Sequence, residues 1–297
     1  MDFLGDLEKI ILEKTRLMGI KIDYKDVDEL LRKFINVKSK LIDNKPRKVH
    51  YSTELKSKMN GKPYYDVLKK IEKKFENGED INPHLSKRAF KPNSQDGILN
   101  DWGIRHLHLS DTKKKPTDKF YKRSAYLLMF IIGNDFVCFL DVRAHSESKR
   151  DSKDPLWVRD ELLEIIQKNW EKLLEPYEYK GVKPSNKYTK EEYLRLRKGG
   201  IVTDAIIGDK LYFPPGGGST TAGTGISHTL RANDILNTIC RQYRGIKKDP
   251  EKIVSQMEKD GIKPPKKLEF ILMDDPQYGL ICVEKNVNRG FPLKIKL

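Results

Sequence analysis

Apolar residues recur at helical spacing through the first part of the chain, and then the rhythm changes. Leu4, Leu7, Ile10, Ile11 and Leu17 mark one helix, and Val27, Leu30, Leu31, Phe34, Val37 and Leu41 a second. A third is predicted over residues 64–75, ending before Asn77-Gly78. Residues 79–103 are irregular, punctuated by Pro83, Pro92, Asn93, Ser94, Asp96 and Gly97. The period then shortens. Residues 104–110 alternate, 126–132 form a continuous apolar run, and 135–143 are rich in Phe, Val and Leu, which together predict three strands. A helix over about 155–174 follows, with Leu156, Val158, Leu162, Leu163, Ile165, Ile166 and Trp170 as its inner face and Pro155 in its first turn.

From residue 181 the pattern is mixed. A hairpin is expected over 201–207 and 211–213 across Gly208-Asp209, then a Gly/Thr-rich loop over 214–225. Helices over 229–243 and 250–260 precede strands near 268–273 and 279–284. This order of elements predicts an α+β protein rather than alternating βαβ units. Its parts are a helical N-terminal region (1–78), a central antiparallel sheet with a packed helix (79–180) and a mixed α/β C-terminal part (181–297).

Charge adds a direction to that outline. Lys plus Arg number 58 against 43 Asp plus Glu, giving a net +15 and a pI near 9.4. A biased genome can enrich lysine, but it does not explain an imbalance of sign. Such a field favours RNA or DNA as partner. A membrane partner is not expected, because no basic amphipathic helix with exposed aromatics stands out. Residues 45–74 hold ten basic side chains against three acids, interleaved with Tyr51, Tyr64 and Tyr65. That mixture suits a phosphate backbone or a solvated helix face equally. Cys138, Cys240 and Cys282 lie far apart without metal-type spacing. With acids near the N-terminus and no apolar run longer than residues 127–132, a cytoplasmic protein is expected.

Candidate chemistry gathers around the strands. His106 and His108 are two apart on a predicted strand and so share a face, with Leu107 and Leu109 on the other. If Gly133-Asn134 is a two-residue turn, Tyr126 opposes Asp141, Ser124 opposes Arg143, and Lys122 opposes His145. That register would collect Lys122, Tyr126, Asp141, Arg143 and His145 beside the histidine pair, with Arg123 adjacent. Lys113, Lys114, Lys115 and Lys119 would hold a phosphate chain. Trp102 would stack on a base or else anchor its loop.

The leading expectation is a metal-independent endoribonuclease without a cofactor, of the toxin or defence-effector kind, restrained by an inhibitory protein partner. Histidines serve as base and acid because imidazole titrates near pH 6.5, while Lys122, Arg123 or Arg143 carry the phosphate charge and Asp141 orients a histidine. The bland alternative is an Asp141–Arg143 ion pair beside an exposed histidine. A second reading is a non-catalytic nucleic-acid-binding protein. A third is a metal-dependent nuclease or hydrolase with zinc or another divalent cation on His106, His108, Asp141 and His145. Gly217, Gly218, Ser219, Thr220 and Thr221 form either a phosphate cup or a plain surface loop, since the run lacks the Gly-Lys-Ser/Thr ending of a P-loop.

Overall fold

The computed structural model describes residues 1–145, 160–184, 188–220 and 224–297. In chain order the elements are α1 (Phe3–Leu17), α2 (Val27–Lys40), β1 (Lys48–Tyr51), α3 (Thr53–Lys58), α4 (Tyr65–Asn77), α5 (Gly97–Trp102) and β2 (Arg105–His108). They continue with β3 (Tyr126–Ile132), β4 (Phe136–Ala144), α6 (Glu161–Trp170), α7 (Lys190–Lys198), β5 (Ala205–Ile207) and β6 (Lys210–Tyr212). The last are α8 (Ile226–Lys248), α9 (Pro250–Lys259), β7 (Phe270–Asp275), β8 (Gly279–Glu284) and β9 (Arg289–Ile295). The architecture is α+β, as the pattern of periods predicts.

Two compact units are present: Met1–Lys38 with His228–Leu297, and Ser39–Ser227. The sequence regions 1–78 and 181–297 each contribute to both. In the first unit, Phe3, Leu7 and Ile11 of α1 lie on one stripe and are almost wholly buried. They pack with Leu30, Leu31 and Phe34 of α2, Ala232, Ile235 and Ile239 of α8, and Phe270, Leu272, Leu280 and Cys282 of the β7-β8-β9 sheet. Phe3 takes the inward place that periodicity gave to Leu4, which is 41% exposed. Strand β9 escapes sequence detection because Gly290 and Pro292 interrupt it. Pro292 is tolerated on an edge strand, opposite Ile281 where the register slips.

The second unit is built on a four-stranded sheet of order β1-β4-β3-β2. Three strands are antiparallel; β1, unanticipated from the sequence, joins β4 in parallel. Both faces are covered. One carries Leu107, Leu128, Phe130, Val137 and Phe139 against Leu55, Leu68, Ile71 and Phe75 of α3 and α4. The other carries Leu127, Met129, Cys138 and Leu140 against Leu162, Leu163, Ile165 and Ile166 of α6 and against the β5-β6 hairpin. That hairpin turns at Gly208-Asp209 as expected, with Gly208 at φ +61°. Leu156 and Val158, placed on the α6 face from sequence, lie outside the described residues.

The β3–β4 turn corrects the sequence reading. Gly133 N–H donates to Phe136 O at 2.9 Å, so the two loop residues are Asn134 and Asp135, not Gly133 and Asn134. Gly133 also lies under a side chain: an added Cβ would sit 2.3 Å from the Phe136 ring, which would have to move. A bulge between Met129 and Phe130 then shifts the register again. Tyr126 pairs with Ala144, Leu127 with Arg143 and Met129 with Asp141, so the expected Tyr126–Asp141, Ser124–Arg143 and Lys122–His145 pairs do not form. A slip of this size moves side chains to the other face, which is why the predicted polar face is not assembled as drawn.

Candidate functional site

The histidine strand is real, and its two imidazoles do share a face. His106 opposes Met129 and His108 opposes Leu127, while Leu107 opposes Leu128 on the far face. That shared face is the second apolar layer and not an open polar surface. His108 is 5% exposed, and His106 sits nearer the rim.

His145 lies just beyond β4, its N–H donating to Ala125 O at 2.7 Å. Its ring stacks on His108 with centroids 5.2 Å apart and planes within 20°. Burial drives the His108 pKa down to about 3, and His106, His145 and Arg123 push in the same direction. His108 is therefore neutral at every ordinary pH. Its Nδ1 is buried without a hydrogen-bond partner among the described residues.

His106 meets a residue that sequence reasoning missed. Its Nδ1 lies 3.5 Å from Asp96 Oδ2, while Asp96 Oδ1 accepts from Leu99 N–H as the N-cap of α5. The segment that delivers Asp96 is fastened by Lys40, whose buried ammonium donates to Lys91 O at 3.0 Å and Ser94 O at 2.9 Å. Burial lowers the Lys40 pKa to about 8, and the Asp96 charge opposes that shift. The signal for Asp96 was available: an Asp followed by a short apolar run is an N-cap pattern. Its second role toward His106 had no sequence signature.

A second cluster forms behind β2. His84 is 1% exposed, its Nδ1 is 3.4 Å from His108 O, and its ring lies 4.5 Å from that of Tyr121. Burial first, then the Lys74 charge, lowers its pKa to about 4 against the pull of carbonyls at His108 and Ser110. The loop after β2 is pinned by Tyr121 N–H to Pro83 O and Lys122 N–H to Thr112 O. Lys74 and Lys113 then stand over the Tyr121 ring at 5.4 and 6.0 Å, and Lys119 over Phe90 at 4.2 Å. Lys114 and Lys115 are exposed on the same loop, as are Lys122 and Arg123 at its end.

Other expected members lie elsewhere. Tyr126 packs with the Leu107–Phe130 layer, its ring 5.0 Å from Tyr64. Asp141 is 1% exposed and committed to Lys58, to Arg143 Nε at 2.6 Å and to Val142 N–H at 2.8 Å. Arg143 in turn reaches Glu161 at 2.7 Å. The ion pair foreseen as the bland alternative is therefore present. Among the described residues, no three His, Cys, Asp or Glu side chains are arranged to hold a metal ion. Trp102 packs against the Leu127–Met129 layer as a loop anchor.

The glycine-rich loop spends its amides on protein. Gly216 N–H donates to Asp101 O, Gly218 N–H to Asn100 O, Gly217 N–H to Pro214 O and Thr220 N–H to Thr224 O, all within 3.1 Å. Ser219 Oγ accepts from Asn100 Nδ2 at 3.3 Å, and the Ser219 backbone forms an antiparallel bridge with Gly225. Thr221 lies outside the described residues. No helix among the described residues is long and apolar enough to cross a membrane. Comparison with protein-family models, with curated proteins and with solved structures found no match.

Proposed function

We propose that the protein is a metal-independent endoribonuclease whose site is the His106, His145 and Arg123 group at the end of β2 and β3. The observation that carries this reading is the Asp96–His106 contact beside the stacked His108–His145 pair. A carboxylate beside Nδ1 would hold the imidazole in one orientation and leave Nε2 as the base. His106 would take the 2′-hydroxyl proton, and the 2′-oxygen would attack the adjacent phosphorus. His145, protonated, would give its proton to the departing 5′-oxygen, leaving a 2′,3′-cyclic phosphate and a 5′-hydroxyl. Arg123 would offset the charge that builds on the phosphoryl oxygens. His108 stays neutral and serves as the platform that positions His145.

The test is cleavage of RNA, single-stranded DNA and duplex DNA with and without EDTA. RNA-only cleavage that survives EDTA and falls about 10²–10⁴-fold in His106→Ala supports the acid–base mechanism. Asp96→Asn should lower the rate less and move the pH profile, whereas full activity in His106→Ala would overturn the assignment. Cleavage abolished by EDTA would turn the reading toward metal-dependent chemistry.

A second reading, a nucleic-acid-binding protein without catalysis, is favoured by the lysine-over-aromatic contacts at Tyr121 and Phe90. Salt-sensitive RNA binding without cleavage would select it.

A further inference from the structure

Away from the histidines, the second unit holds a cavity of about 310 Å³ between α7 and the β5-β6 hairpin. Ligand sites of small molecules begin near this size, roughly 300 Å³. Tyr188 and Tyr193 line it at right angles, ring centroids 5.5 Å apart and planes at 76°. Tyr193 is buried and fixed, its hydroxyl donating to Asp204 O at 3.0 Å. Tyr188 is 49% exposed and Ile201 53%, an unusual concentration of open apolar surface on a chain this highly charged.

One carboxylate stands in the cavity wall. Asp204 lines the cavity, and the only hydrogen bond to its side chain among the described residues is a long one, 3.4 Å from the Tyr179 hydroxyl. Burial raises its pKa, with Tyr179 opposing. Asp204 is half-buried, so its remaining acceptor positions open to solvent and are available to a donor entering the cavity. Lys183 is exposed at the rim.

We propose that this cavity binds a guanine base, either as a free nucleotide or as an unpaired residue of a single-stranded nucleic acid. Guanine presents two adjacent donors, N1–H and the N2 amino group, which match the two oxygens of one carboxylate. Adenine and cytosine set a ring acceptor beside their amino group, which the Asp204 carboxylate would repel. Uracil offers a single N–H between two carbonyls. The open face of Tyr188 supplies a stacking surface for the purine, of the kind worth about 1–3 kcal/mol per base in single-strand recognition. Lys183 meets the phosphate. The proposal stands apart from the ribonuclease reading, because binding here is measured without cleavage.

Calorimetric titration of the full chain with guanosine and adenosine monophosphates tests it. Guanosine monophosphate should bind at least tenfold more tightly than adenosine monophosphate. Asp204→Asn should remove that preference. Tyr188→Ala, at an exposed position that leaves folding intact, should weaken guanine binding about tenfold. A thymine pentamer of DNA carrying one central guanine separates the two sources: tighter binding than the mononucleotide assigns the site to strands, weaker binding to free nucleotide. Equal affinity for the two mononucleotides, no binding to wild type, or unchanged binding in Tyr188→Ala would overturn the proposal.

Discussion

Two loops border the histidine strand, and on sequence alone both invite a phosphate. The loop over 111–125 follows β2 and is rich in lysine; the loop over 214–225 packs on the end of α5 just before β2 and is rich in glycine. Their structures divide the work in opposite ways. The lysine loop anchors through backbone bonds at Tyr121 and Lys122 and leaves its ammonium groups outward over aromatic rings. In the glycine loop the amides of Gly217 and Thr220 bond within the loop, and those of Gly216 and Gly218 go to the Asp101 and Asn100 carbonyls. A glycine-rich run therefore signals close backbone approach here, and side-chain charge signals where an anion would be held.

The contrast breaks most sharply at Gly216. An added Cβ would lie 1.9 Å from Asn100 O, a backbone atom that cannot swing away. Gly216→Ala should cost about 3 kcal/mol, near the upper end for overpacking, and lower the melting temperature by roughly 6–10 °C. RNA affinity below the transition should be unchanged. Calorimetry and a filter-binding titration read both. A variant that kept its stability and lost RNA would return the glycine loop to phosphate binding.

Acid tests the floor beneath the lysine loop. His84 has a folded pKa near 4 against roughly 6.5 unfolded, so its contribution is complete above pH 6.5 and is lost as pH falls toward 4. At pH 5 it should cost about 2 kcal/mol, measured by urea unfolding. His84→Gln should roughly halve the slope between pH 6.5 and 4, leaving the part that the still more depressed His108 imposes. An unaltered curve would mean that His84 is not buried in its neutral form.

The smallest effect sharpens the comparison on the binding side. Lys113→Ala with Lys119→Ala should weaken RNA about tenfold and reduce the salt slope by roughly 1.4–1.8, as two lost phosphate contacts require. Ser219→Ala, which loses only the 3.3 Å contact from Asn100, should leave that slope where it was. Equal slopes in the two variants would erase the distinction.

How far the sequence discloses this arrangement depends on the range of each signal. Local periodicity locates α1, α2, α4, β2, β3 and β4, and parity puts His106 and His108 on one side. What it misses is set by distant packing. The Gly133 N–H to Phe136 O bond sets the turn at Asn134-Asp135, and the bulge beside Phe130 decides which residue faces Asp141. Neither is written in propensity. Asp96 reaches His106 from a segment whose Lys91 and Ser94 carbonyls are held by Lys40, far back in the chain. The pairing of β1 with β4 joins residues some eighty-eight positions apart, such as Val49 with Val137, and no local pattern announces it.

The contact of Gly216 and Gly218 with Asn100 and Asp101 also orders events in time. The ribosome delivers the histidine strand more than a hundred residues before the loop that seats the turn ahead of it. Closing so long an interval carries an entropic cost that local elements do not bear. A nascent chain that has β2, β3 and β4 but has not yet exposed residue 218 thus holds its imidazoles on an unfastened lead-in. Whatever chemistry they perform matures late in synthesis, after the rest of the second unit has been made.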